Sequence, residues 1–292
     1  MIIRYEGGND GIADYLINGR KADRQYTRDE LDQRVILDGD LQTTDKIIQS
    51  IDKDEDRYFR IVLSFHENDI SSDTLTAVVN EYKSLLMNAY HPDEYSFYAE
   101  AHLPKIRHIQ NNRTGELIER KPHIHVVIPK VNLVTGKYLN PVGDMTKGHT
   151  IEQLDAIQEY INKKYNLLSP KDFPRKDADY SKILSRIKGD LYKGHNAEFK
   201  NELFLRVQNE KIQDYKDFKK IVSTYGETKI RNAGRDNEYL AVKLPGDKKF
   251  TNLKSPLFRK NYIEKRTLTL EKPTNKEIEK RLNTWLNKTS YE

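Results

Sequence analysis

His123 and His125, separated by a single isoleucine, are the residues whose types and spacing carry the most chemistry in the chain. They lie in the run His123-Ile124-His125-Val126-Val127-Ile128, closed by Pro129, which reads as a strand. Side chains on a strand alternate between its two faces, so both imidazoles point the same way while Ile124 points into the core. Two neutral imidazoles on a rigid element form a claw for Mn, Zn, Ni or Co, and suit Mg less well. The tripeptide alone is a weak signal, because two partly exposed strand histidines would look the same. Its position at the mouth of an apolar strand strengthens it. The chain has no cysteine, so a metal must rest on His, Asp, Glu or Gln.

Two ligands leave a site incomplete. His102, at the end of the run 95–103, is the best third candidate, since a hairpin tipped by residues 111–115 would return the chain beside it. Glu100 points to the same face as His102. It can serve as a ligand, as the acceptor for an imidazole N–H, or as a base. His108 competes, but lies in an expected loop. A metal with open positions polarises a phosphoryl oxygen. A covalent mechanism needs a nucleophile as well, and without cysteine that leaves Ser, Thr, Tyr or a carboxylate. The 18 tyrosines make any one of them unremarkable by itself.

Residues 60–65 read as a strand, and Leu75, Val78, Val79, Tyr82, Leu85 and Leu86 recur at helical spacing behind a Ser71-Ser72-Asp73 cap. Residues 132–143 read as a loop and residues 151–165 as a helix. Together these predict an α+β fold with a mostly antiparallel sheet and helices on one face. A boundary is expected at residues 170–174, giving a core of 1–168 and a basic region of 169–292. In that region the sequence predicts helices over 179–192 and 196–224, a small β-element around 229–244, and a polar helix over 275–287.

Charge divides the chain in the same place. Residues 1–164 hold 21 Lys and Arg against 27 Asp and Glu, whereas residues 165–292 hold 29 against 18. A basic half suits a polyanion, and Lys229, Arg231, Arg235, Lys243, Lys249 and Lys254 carry Tyr239, Phe250 and Phe258 among them. No stretch approaches 18 apolar residues, and the N-terminus lacks a secretory pattern, so a cytoplasmic location without membrane contact is expected.

Residues 122–129, Pro-His-Ile-His-Val-Val-Ile-Pro, resemble the HUH motif of conjugative relaxases, the nucleases that mobilise plasmids and integrative elements. Residues 12–20, Ile-Ala-Asp-Tyr-Leu-Ile-Asn-Gly-Arg, resemble the short helix on which those enzymes carry a single catalytic tyrosine, and Gly7-Gly8 resembles the approach to it. The resemblance covers about residues 1–165. It implies an HUH endonuclease palm, with a divalent metal (Mn, Mg or Zn) on His102, His123 and His125. In many relaxases the upstream histidine lies only a few residues before the pair. Here 20 residues intervene, so the assignment of His102 requires the hairpin to fold back.

The resemblance further implies Tyr15 as nucleophile, with Tyr26 as the alternative. Attack on the phosphorus would release a 3′-hydroxyl and leave a 5′-phosphotyrosine, at a nick site within a transfer origin. Free tyrosine titrates near pH 10, so its deprotonation needs help. Arg20, Lys21, Arg24 and Arg28, with Arg34 beyond them, follow the tyrosine and are candidates to clamp DNA, as are Arg231 and Lys249. Implied partners are single-stranded or hairpin DNA, accessory relaxosome proteins and a type IV secretion coupling protein. Relaxases usually continue into helicase, primase or secretion-signal regions, which leaves open that the chain is a catalytic fragment. Three competitors remain: a rolling-circle initiator or single-strand transposase, with Tyr160 as the tyrosine to watch; a non-catalytic nucleic-acid-binding module; and a metal-dependent hydrolase of small phosphoesters, which would have no use for the basic C-terminal half.

Overall fold

A computed structural model of the chain describes residues 1–19, 26–52, 55–110, 115, 117–145, 147–173, 175–176, 195–235, 238–268 and 272–287. The chain divides into two units. One is Met1–Asp144, Glu152–Pro170 and Pro273–Glu292; the other is Met145–Ile151 and Lys171–Lys272. The division after Pro170 lies at the proline-bounded stretch. The final helix, Asn275–Asn287, departs from the expected 169–292 region, because it belongs to the first unit. There the indole N–H of Trp285 donates to the carbonyl of Leu85, and an apolar stripe of Ile278, Leu282 and Trp285 is buried.

The first unit is built on a five-stranded antiparallel sheet. Its strands are β1 (Ile2–Gly8), β2 (Asp32–Asp38), β3 (Tyr58–Ser64), β4 (Tyr98–Pro104) and β7 (His123–Pro129), in the spatial order β1-β3-β7-β4-β2. The β-branched run of β7 occupies the centre, and from Ile124 to Pro129 it is buried, as a strand covered on both faces must be. Between β4 and β7 the chain makes a separate hairpin of β5 (His108–Gln110) and β6 (Leu117–Glu119). Strand β4 starts at Tyr98, later than residue 95, because a 3-10 turn at Pro92–Glu94 precedes it. Strand β2 is an edge strand that the sequence reading did not anticipate.

Register decides which side chains share a face. In one row across the sheet stand Ile2, Ser64, His123, His102 and Arg34. The next row on that face is Arg4, Val62, His125, Glu100 and Ile36, and the next holds Glu6, Arg60, Val127 and Tyr98. A register shift in β2 between Ile36 and Asp38 ends the regular pairing beside Glu100.

Helices lie on both faces, a correction to the expected single-sided arrangement. On the face opposite the histidines, α4 (Ser72–Leu86) is capped by Ser71, whose hydroxyl accepts from Thr74 N at 3.1 Å. Its Tyr82 meets Tyr5, and α5 (Gly148–Lys164) packs beside it, with the hydroxyl of Tyr165 donating to Ala77 O. On the histidine face lie α1 (Ile12–Asn18) and α3 (Leu41–Ser50), separated in the chain by the single turn α2 (Arg28–Leu31). Their Ile12, Leu16, Leu41 and Ile48 bury against Tyr58, Tyr98 and Val127. The reason is that this face carries apolar side chains below the histidine rows, and uncovered they would remain in water.

In the second unit, the expected helix over 196–224 is two helices, His195–Asn209 and Tyr215–Ser223. Lys211 takes a positive φ of 49°, and Asp214 caps a new start by accepting from Lys216 N at 2.6 Å. Phe204, Phe218, Val222, Leu240, Phe258 and Ile263 are part of this unit's core, against a small sheet of order β11-β10-β9. Those strands are β9 (Glu227–Arg231), β10 (Tyr239–Lys243) and β11 (Thr251–Leu253), and the two-residue β8 (Arg175–Lys176) precedes them in the chain. The expected helix over 179–192 lies outside the described residues. Among the described residues, no helix is long and apolar enough to cross a membrane.

Candidate functional site

The three histidines meet because two neighbouring strands set them there. His102 on β4 lies directly opposite His123 on β7, and His125 is two residues further along the same face. Their ligand atoms lie within 4.8 Å of one another, close enough that small side-chain adjustments let the three hold one metal ion. His102 and His125 are buried and His123 partly so. Among the described residues, no other group of three His, Asp or Glu converges in this way.

Hydrogen bonds decide which nitrogens are free. The Nε2 of His102 is bonded to Glu100 Oε1. A carboxylate only accepts, so Nε2 carries the proton and Nδ1 keeps its lone pair. His123 Nδ1 lies 3.0 Å from the carbonyl of Lys121, which also only accepts, so Nε2 is the free nitrogen there. The Nδ1 of His102 and both nitrogens of His125 are buried without a hydrogen-bond partner. Leaving such polar atoms bare costs about 1–3 kcal/mol each. A cation accepting the lone pairs of His102 Nδ1 and of one His125 nitrogen removes that cost at those two atoms, so this donor set fits a divalent metal.

Charge state agrees with ligation. Burial pushes the His123 imidazole down to about 4. Burial, with the other two imidazoles and Arg60 and Arg28 nearby, pushes His125 further down still. Both are neutral near pH 7, the form that binds a metal. Burial drives the Glu100 carboxyl upward, but hydrogen bonds from His102, Arg34 and Tyr98 outweigh it and hold it at about 2. Arg34 holds the carboxylate with two bonds, Nε to Oε1 at 3.1 Å and Nη2 to Oε2 at 2.7 Å. The Tyr98 hydroxyl donates to the same Oε2. Glu100 is thus fully engaged in fixing the His102 ring and is not among the converging ligand atoms.

Tyr15 stands beside this cluster. Its ring lies 5.7 Å from that of His125, edge to face. The helix that carries it is only seven residues long, so its position depends on its ends. Gly11 (φ 77°) precedes it, and Gly19 (φ 74°, ψ −170°) follows in a region that essentially only glycine occupies. Gly19 N donates to Tyr15 O at 2.9 Å, and Arg28 Nη2 donates to the same carbonyl at 3.2 Å. Leu16, fully buried, pins the helix to the sheet; Leu16→Ala would cost about 2–5 kcal/mol and loosen the neighbouring tyrosine.

Two guanidinium groups flank the Tyr15 ring. The Arg60 carbon lies 5.1 Å from the ring centroid and the Arg28 carbon 5.5 Å. Arg60 pairs with Glu6 and remains partly exposed. Arg28 was expected as a DNA clamp, and here the structure differs. It is only 5% exposed, and its Nη1 lies 3.0 Å from Asp32 Oδ2. Asp32 also accepts two bonds from Arg120 Nη2, both 2.7 Å, while Arg120 Nη1 donates to Leu31 O and Ile106 O. A buried carboxylate has captured the arginine, which therefore holds the Tyr15 backbone. Arg34 likewise serves Glu100.

Arg20, Lys21 and Arg24 lie outside the described residues. Tyr26 is 36% exposed and makes no ring contact with the histidines among the described contacts. His108 is exposed on the hairpin, away from the cluster. Arg231 and Lys249 are exposed in the second unit. Sequence reasoning overlooked Arg60 as a neighbour of the tyrosine. The signal was available in part: Arg60, Val62 and Ser64 alternate on one face of a recognised strand, but which face depends on pairing with β7.

No protein-family model, curated protein or solved structure matches the chain.

Proposed function

We propose that this chain is a metal-dependent DNA strand-transfer nuclease of the HUH relaxase type, nicking and rejoining one strand at a transfer origin through Tyr15. The observation that carries this is the convergence of three imidazoles with free nitrogens next to a tyrosine on a short, glycine-bounded helix. Tyr160, the tyrosine of interest for a replication initiator or transposase, belongs to α5 on the opposite side of the sheet, where Lys164 covers its ring. That favours the relaxase arrangement. A non-catalytic module would give no reason for buried imidazole nitrogens to be left bare.

A divalent metal held by His102, His123 and His125 supplies charge withdrawal from the non-bridging oxygens of the scissile phosphate. The residues of the chain do the rest. Tyr15 Oη attacks the phosphorus, the P–O3′ bond breaks, and the proton lost by the phenol ends on the departing 3′-oxygen. The 5′-phosphate stays on the tyrosine, so the bond energy is kept and the reverse reaction rejoins the ends. Arg60, over the ring and reachable from solvent, is suited to pair with the phosphate that arrives there. Arg28 and Gly19 hold the tyrosine backbone, and Glu100 holds the His102 ring.

The test is a denaturation-resistant protein–DNA adduct formed with Mn²⁺ and single-stranded oligonucleotides that include transfer-origin sequences. Wild type should form it, and Tyr15→Phe and His123→Ala should not. Survival of the adduct in Tyr15→Phe moves the nucleophile to Tyr26. Absence of any adduct with the cognate strand, under every metal, removes the nuclease and leaves a binding module.

A further inference from the structure

The small sheet of the second unit has a core face and an outer face, and the outer one has an unusual composition. Leu240, Val242 and Leu253 bury inward. By alternation, the outward row pairs Arg231 with Tyr239, the next pairs Lys229, Ala241 and Asn252, and the next pairs Glu227 with Lys243. Phe250, just before β11, lies under Lys229 at 4.5 Å and under Arg231 at 5.9 Å. Lys254, just after β11, sits 5.4 Å over the Tyr239 ring. Lys229, Arg231 and Lys254 are exposed, and the two rings are half-buried. On these strands the outward acid is Glu227, whose carboxylate is 3.5 Å from Lys229.

We propose that this face is a platform for single-stranded DNA. Its cations exceed its acids, which suits a phosphate backbone. Its rings and the guanidinium plane of Arg231 offer flat apolar surface, and stacking on such surface is how unpaired bases are held. A duplex keeps its base faces stacked inside and has little use for these rings. The choice of DNA over RNA rests on the proposed nicking reaction. The platform itself uses no residue of the histidine cluster and should work without metal.

The experiment titrates the full chain, in EDTA, into a fluorescein-labelled oligothymidylate of about 20 nucleotides, longer than the roughly 4–16 that one such module covers. Fluorescence anisotropy is read over a range of NaCl concentrations. Phe250→Ala should weaken binding about tenfold. Lys229→Gln combined with Arg231→Gln, both at exposed positions where folding is unaffected, should reduce the slope of log affinity against log salt by about 1.4. Circular dichroism melts verify that each variant is folded. Unchanged affinity and slope in the exposed double variant overturn the proposal, as does equal binding of a duplex or tighter binding of oligouridylate. The adduct assay reads Tyr15 and the histidines separately, so failure of the platform and failure of the nuclease are told apart.

Discussion

Glu100 and His102 stand two residues apart on one strand face, and the carboxylate of the first fixes the ring of the second through Nε2. This bond occupies Nε2 and leaves Nδ1 of His102, buried and without a hydrogen-bond partner, as the nitrogen available to a metal. Glu100→Gln keeps the shape but replaces a charged acceptor with an amide whose orientation is ambiguous. Metal affinity should fall about 10–100-fold. Isothermal titration with Mn²⁺ or Zn²⁺ measures it, and an unchanged affinity would remove the positioning role of Glu100.

Arg60→Gln tests the guanidinium over Tyr15. It lies on the second strand from His102, holds no imidazole nitrogen, and is partly exposed. Loss of a charge-assisted contact to phosphate, about 1.5–3 kcal/mol, should slow adduct formation roughly 10–100-fold. Metal affinity should not fall, because the charge that is lost is itself a cation beside His125. If metal binding and adduct formation drop together, Arg60 supports the fold of the site and not the substrate.

Asp32→Asn breaks the carboxylate that neutralises both Arg28 and Arg120. Removing one partner of a buried ion pair costs about 3–5 kcal/mol. A fall in thermal midpoint is expected, with a larger relative loss of adduct, because Arg28 also holds the Tyr15 carbonyl. A variant as stable as the wild type would contradict this account of the network.

In metal-free protein, acid should destabilise the fold early. The His123 pKa is near 6.5 in the unfolded chain and about 4 in the folded one. Between those values the unfolded state binds more protons, so stability falls as pH falls from about 6.5 to about 4. The loss is on the order of 3 kcal/mol for this one group. Urea titrations in EDTA at pH 7 and pH 5 measure the part of it that falls between them, about 2 kcal/mol. Equal stability at both would show that His123 is not held neutral.

Part of this was legible in the sequence. The two-residue spacing of His123 and His125 and the apolar run behind them specify a strand and its face without reference to anything distant. His102 could be placed by the hairpin turn alone. Strand β2 could not, because Asp32 and Arg34 sit beside Arg28, Asp29 and Glu30, and the stretch reads as a charged helix. What makes it a strand is pairing with β4, 66 residues away at the Arg34–Glu100 contact. The same distance problem hid the roles of Arg28 and Arg34: surface and buried arginines look alike until the carboxylate that captures them is known. The return of Trp285 to Leu85 spans 200 residues, and no local pattern announces it.

The three imidazoles ride on the two innermost neighbours of the sheet, β4 and β7, which are hydrogen-bonded to strands on both sides. They cannot separate unless the sheet itself comes apart. Loading and unfolding are therefore coupled by mass action: a metal that binds only the intact sheet adds RT ln(1 + [M]/Kd) to its stability, about 2.7 kcal/mol at a hundredfold excess over Kd.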